Sequence, residues 1–260
     1  MANTKSENRL GHPLRLSGVS LVVVFVGLPW ASAQTGAEQT YSRALEKIGY
    51  EDTFDGEINS ASDYFEYLAD QAGPEDACNL GELYKRAAID SYMSEELLKY
   101  RGQELEEVDV FALPPEEYAA VKDEIDHNHK RWLAGEVQEH GWFSKARCGP
   151  DAESAAFLMV QHHPDLDWQS SILEMMEESW RHGNTSYSNI AFLKDRIRIE
   201  QDRRQIYGTQ GYCVGGGLWQ PFELENPDKV DELRAEAGLP SLDEYSATVA
   251  RNFCQKDPVQ

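Results

Sequence analysis

The densest chemistry in this chain lies in one short run, Gln161-His162-His163-Pro164-Asp165-Leu166-Asp167-Trp168-Gln169. Imidazole and carboxylate this close in sequence can exchange protons or hold a metal. The same run also reads as a corner between two helices. Pro164 closes the first helix, His162 suits its C-terminal dipole, and Asp165 or Asp167 can cap the next. A second polar cluster, Tyr207-Gly208-Thr209-Gln210, places three hydrogen-bonding side chains beside one residue that allows close approach. His127 and His129 stand two apart, which on a helix turns them to different faces and makes a poor chelate.

Further candidates come from polar groups in phase with apolar stripes. Asp90 is one heptad from both Leu83 and Leu97, and Asn128 is one heptad from Val121. His162 continues the Ala155–Met159 spacing, and Asp195 shares a face with Ala191, Phe192 and Ile199. Such groups should point inward. Burying a neutral polar group without a partner costs roughly 2–7 kcal/mol, so each must meet a partner, water or a ligand. Local pairing offers one outcome, for example Asp90 with Arg86 a turn earlier. Convergence of Asp90, Asn128, His162, Asp195 and Gln210 on one cavity lined by Trp and Met offers another.

Together these residues resemble the signature of an uncharacterised, mainly bacterial family of unknown function, DUF6624. The resemblance covers about residues 80–250. It rests on Gln161-His162 with Asp165, on Gln169, on the Asp195-Arg196 pair and on Tyr207 to Gln210. Pro227 to Arg234 fits the family's Pro-Asp-x-Val-Asp-Glu-x-Arg run, and Asp90-Ser91 fits its Asp-Gln with Ser in place of Gln. Residues 126–143 resemble its Asp- and Asn-bearing helix followed by Gly-Trp-Pro, with Phe143 in place of Pro. The resemblance implies a shared site but no defined activity. It supports His162 and Asp165 as catalytic candidates, with Asp90, Asn128, Gln169, Asp195, Arg196, Tyr207, Thr209 and Gln210 as ligand-binding candidates.

The elements that must position these residues are mostly helical. Periodicity predicts helices near 41–48 and over 60–71, then long ones over 75–100 and 115–140. Further helices are predicted over 150–162, 167–180, 188–200, 227–237 and 241–253, with Gly and Pro marking the breaks. Residues 205–214 and 218–224 are β-prone and flank Gly215-Gly216-Gly217, so an irregular hairpin is expected. The fold class is therefore mainly α, a bundle-like domain with a small hairpin in its last third. The expected organisation is a leader over 1–33, a polar helical extension over 34–74, one domain over 75–254 and a tail over 255–260.

The leader has a basic start (Lys5, Arg9, Arg15), an apolar run over 19–28 and Ala31-Ser32-Ala33 as a processing site. The apolar run is shorter than the ~20 residues of a membrane helix, and no later segment is apolar enough to span a bilayer. A secreted or periplasmic location is expected, with no membrane attachment after cleavage. The four cysteines then suggest two disulfides, with Cys78–Cys148 and Cys213–Cys254 the preferred pairing. The first would tie a long helix to the loop before the 150–162 helix, the second the hairpin to the last helix. No CxxC spacing marks a metal site, and no cofactor is expected.

The net charge of −22 argues against nucleic acid as a partner. The chain lacks Gly-x-Ser-x-Gly, His-Glu-x-x-His and Walker patterns, so enzymatic activity is left undecided. Three functions are open: a pocket for a small molecule or peptide, a hydrolase-like enzyme using His162 as acid or base, and an exported interaction module. The leader gives the first measurable expectation. Intact-mass analysis of exported protein should find a chain starting at Gln34, and recovery of the full-length chain in membranes would refute processing.

Overall fold

The structure is a computed structural model describing residues 30–50, 57–73, 76–97, 109–214 and 216–254. The expected leader up to residue 29, the tail over 255–260, the end of the helix expected to reach residue 100 and Gly215 of the hairpin lie outside these residues. The architecture is mainly helical with one small hairpin, as the periodicity predicts.

Helix α1 (Trp30–Ile48) is longer than expected and begins ahead of the Ala33–Gln34 bond. Helix α2 (Ala61–Gln71) starts where the Ser60 side chain accepts from the Asp63 N–H. Helix α3 (Leu80–Leu97) starts later than the expected residue 75. Asn79 adopts a left-handed φ of 50°, and the Asp76 carboxylate accepts from the Cys78 and Leu80 N–H groups. Helix α4 (Pro115–His140) has the expected bounds, with Pro at its first turn and Gly141 at its end.

A short turn of helix, α5 (Lys145–Cys148), precedes α6 (Pro150–His162). Asp165 caps α7 (Leu166–Arg181) by accepting from the Trp168 N–H at 2.8 Å. Helix α8 (Tyr187–Glu200) leads to the antiparallel strands β1 (Gly211–Val214) and β2 (Leu218–Pro221). A 3-10 turn (Pro227–Lys229) runs into α9 (Val230–Glu236). Helix α10 (Leu242–Phe253) opens with a reciprocal Ser241–Glu244 capping box.

The core has two main parts joined by α3. Leu83, Tyr84, Ala87 and Ala88 pack with α2, α6, α7 and α8, while Ile89 and Met93 pack with α1 and α4. Because α3 is buried on nearly all sides, its polar residues must find partners inside the protein. Cys78–Cys148 ties the approach to α3 to the end of α5, and Cys213–Cys254 ties β1 to the end of α10. This is the pairing preferred from the sequence, and it suits an oxidising environment. Among the described residues no helix is long and apolar enough to cross a membrane.

The hairpin is fastened to the bundle by two charges acting from opposite sides. Asp195 of α8, with no exposed surface, accepts from the backbone N–H groups of Ile206, Tyr207 and Thr209 and from Thr209 Oγ1, at 2.7–3.1 Å. Arg234 of α9, equally buried, donates to the carbonyls of Tyr207 at 2.6 Å and Pro240 at 2.7 Å, and stacks on Tyr245. Gln205 closes the loop by donating to the Gln210 and Phe222 carbonyls and accepting from the Gln210 N–H. Gly208 has a φ of +66°, and a Cβ there would lie 2.9 Å from Leu242 Cδ1. Replacing Asp195 by Ala strands several buried donors, so stability should fall by on the order of 3 kcal/mol or more in urea denaturation. A loss below about 1 kcal/mol would overturn this view of the clamp.

Candidate functional site

Helices α3 and α6 bring Asp90 and His162 together. His162 Nδ1 lies 2.6 Å from Asp90 Oδ2, and Ser94 Oγ, one turn along α3, lies 3.3 Å from the same nitrogen. A carboxylate at Nδ1 fixes the proton on that nitrogen and leaves Nε2 as the ring's other proton site. Burial works against a charged imidazole here, as do Arg196 and Lys122, but the charge and hydrogen bond of Asp90 outweigh them and hold the His162 pKa above its ordinary value.

These residues line a cavity of about 220 Å³. Met93 and Leu97 form its apolar wall, and from α4 come Lys122 and Asp126, which pair with each other one turn apart. Burial raises the Asp126 carboxyl, Lys122 opposes that shift, and Asp90 and Asp123 add to it. From α8 comes Arg196, immediately after the clamp residue Asp195. Its Nε is shielded from water and meets no acceptor among the described residues, and no described carboxylate pairs with its guanidinium. A cavity with one cation left over is suited to an anion.

The other expected site residues have different surroundings. Asn128 accepts from Arg86 Nη1 at 2.6 Å, and Arg86 pairs with Glu82 rather than with Asp90. The Arg86 guanidinium lies over the Tyr41 and Trp132 rings. Next to Asn128, His129 is buried against α1 with Tyr41 Oη 2.8 Å from its Nε2, and burial lowers its pKa well below the ordinary value. His127, by contrast, is exposed on the opposite face. Asp165 caps α7 and pairs with Lys130, which holds its carboxyl below the ordinary value. Gln169 donates from Nε2 to the carbonyls of Val160, Gln161 and His163, closing the end of α6. Asp195, Tyr207, Thr209 and Gln210 belong to the clamp, where Tyr207 and Tyr187 hydroxyls lie 3.0 Å apart.

The expected five-residue convergence is thus corrected. Asp90 and His162 share the cavity, joined by Arg196, whereas Asn128, Asp195 and Gln210 are satisfied elsewhere and, among the described residues, no Trp lines the wall. Polar burial was met by three separate local sets of partners instead of one pocket. Lys122, Asp126 and Ser94 were missed, although the i,i+4 spacings Lys122–Asp126 and Asp90–Ser94 carried the signal. Glu153 was also missed. It is fully buried and accepts from Ser186 N, Ser186 Oγ and Asn189 Nδ2, fixing the start of α8. Among the described residues no group of His, Cys, Asp and Glu is placed to hold a metal.

The raised His162 pKa has a stability consequence with a definite sign. Its contribution is fully present below the unfolded value of about 6.5 and is lost as pH rises through the folded value. The stability difference between wild type and His162→Gln should therefore shrink from about pH 6 to about pH 9 in urea denaturation. A constant difference across that window would show that the Asp90–His162 pair does not carry charge.

No curated protein and no solved structure matches this chain significantly. The model of a family of unknown function, DUF6624, matches residues 82–256, a span that holds the Asp90–His162 pair, Arg196 and the whole clamp. On that match, covering well over half its length, the chain belongs to the DUF6624 family.

Proposed function

We propose that this is an exported protein whose cavity between α3, α4, α6 and α8 binds a small anion. Export is supported by the leader pattern of basic start, apolar run and Ala-Ser-Ala, and by two disulfides closing all four cysteines. Anion binding rests on one observation: Arg196 lines the cavity without a carboxylate partner among the described residues. Around it, Lys122 is matched by Asp126 and His162 by Asp90.

A second reading, proton transfer to or from the bound ligand, is favoured by the His162 geometry. With Asp90 on Nδ1, Nε2 can act as base or acid. Ser94 is on the Nδ1 side, so the arrangement does not supply a serine nucleophile activated by this imidazole.

Binding is tested by thermal shift and NMR titration with small carboxylates and inorganic phosphate. At least one of these anions should stabilise the wild type, and Arg196→Gln should weaken its binding about tenfold or more. Affinity should also fall as pH rises and His162 loses its proton. If no anion binds, or if Arg196→Gln binds as well as wild type, the reading fails. A ligand that wild type consumes and His162→Gln leaves intact would make the site catalytic.

A further inference from the structure

We infer that the anion is a monocarboxylate carrying a short aliphatic chain, its carboxylate on Arg196 and its chain against Met93 and Leu97. This rests on the small-anion reading above and specifies the ligand class. The first argument is charge balance. Among the described lining residues, Lys122 stands against Asp126 and His162, when protonated, against Asp90, which leaves the single charge of Arg196. A monoanion balances that charge. A dianion would add an uncompensated negative charge beside Asp90 and Asp126, in a chain whose net charge is already −22.

The second argument is the wall. Met93 is buried and Leu97 half-buried, and both line the cavity that holds Arg196. A bare inorganic anion would leave this apolar surface uncovered, whereas each methylene laid on it strengthens binding about fourfold. The third is size. A volume of about 220 Å³ lies below the roughly 300–1,000 Å³ of pockets for drug-sized ligands, so the chain must be short.

The experiment compares acetate, butyrate and succinate near neutral pH by NMR titration of the protein with both disulfides formed. Butyrate and succinate have equal carbon counts and differ in charge, while acetate and butyrate differ by two methylenes. Butyrate should bind about tenfold more tightly than acetate and at least about tenfold more tightly than succinate. Leu97→Ser should lower butyrate affinity toward that of acetate, so that the butyrate-to-acetate affinity ratio falls toward one.

Succinate binding as tightly as butyrate, or acetate equalling butyrate, overturns the inference. If those anions still depend on Arg196, the small-anion reading survives that failure. Absence of binding by all three and by inorganic phosphate, or binding indifferent to Arg196→Gln, overturns both. Should Arg196→Gln fail to fold by circular dichroism, the wild-type ligand series and Leu97→Ser decide the inference without it.

Discussion

A carboxylate sealed from water holds its place only if donors surround it, and Asp195 takes its donors from a segment that otherwise meets α8 through Tyr207, packed against Tyr187 and Ala191. Three backbone N–H groups and a hydroxyl of residues 206–209 converge on it. The carbonyls of the same turn are left for Arg234, and the Thr209 carbonyl accepts from the Tyr245 hydroxyl. Donors and acceptors of one turn are thus sorted onto opposite charges from different helices. Burial still pushes the Asp195 carboxyl above its ordinary value, with the four donors working against that shift. The position of α8 follows from this constraint and from Glu153, which holds its N-terminus. Arg196 inherits its place in the cavity from both.

The cavity and the clamp therefore answer different needs on adjacent residues of one helix. In the clamp, Asp195 and Arg234 are held mainly by neutral backbone groups of one turn. In the cavity, charged residues of four helices come together, and among the described residues one cation is left unmatched.

Much of the fold was legible because helix periodicity, Gly–Pro breaks and caps agree along most of the chain. The bounds of α4 and α6 follow from Pro at the first turn and a breaker after the last. The start of α3 was not legible, since it is set by the left-handed Asn79 and by the Asp76 side chain, which accepts from the Leu80 N–H. The site was half legible. Heptad phase marked Asp90 and His162 as inward, and they meet. The same phase marked Asn128 and Asp195, which are more deeply buried but spent on Arg86 and on backbone. Phase reports direction relative to one helix and carries no information on what waits across the interface. Lys122 and Asp126 escaped notice for the same reason, since an i,i+4 pair looks alike whether it faces water or a cavity.

The order of these parts along the chain has a consequence for synthesis. Asp195 and the Tyr207–Gln210 turn are made before Arg234, and Arg234 before Cys254, whose bond to Cys213 pins the hairpin to the last helix. A ribosome that has released the chain only through the hairpin presents the N–H half of the clamp without its carbonyl half. The turn can then be completed only after α9 has emerged, and covalently sealed only after the end of α10 has met an oxidant. Loss of the last helix, by a premature stop or a protease, would thus reach α8 through the turn and through the Phe192–Tyr245 ring contact, not through the lining of the cavity. Every described residue that lines the cavity thus precedes in the chain the segments that complete the clamp.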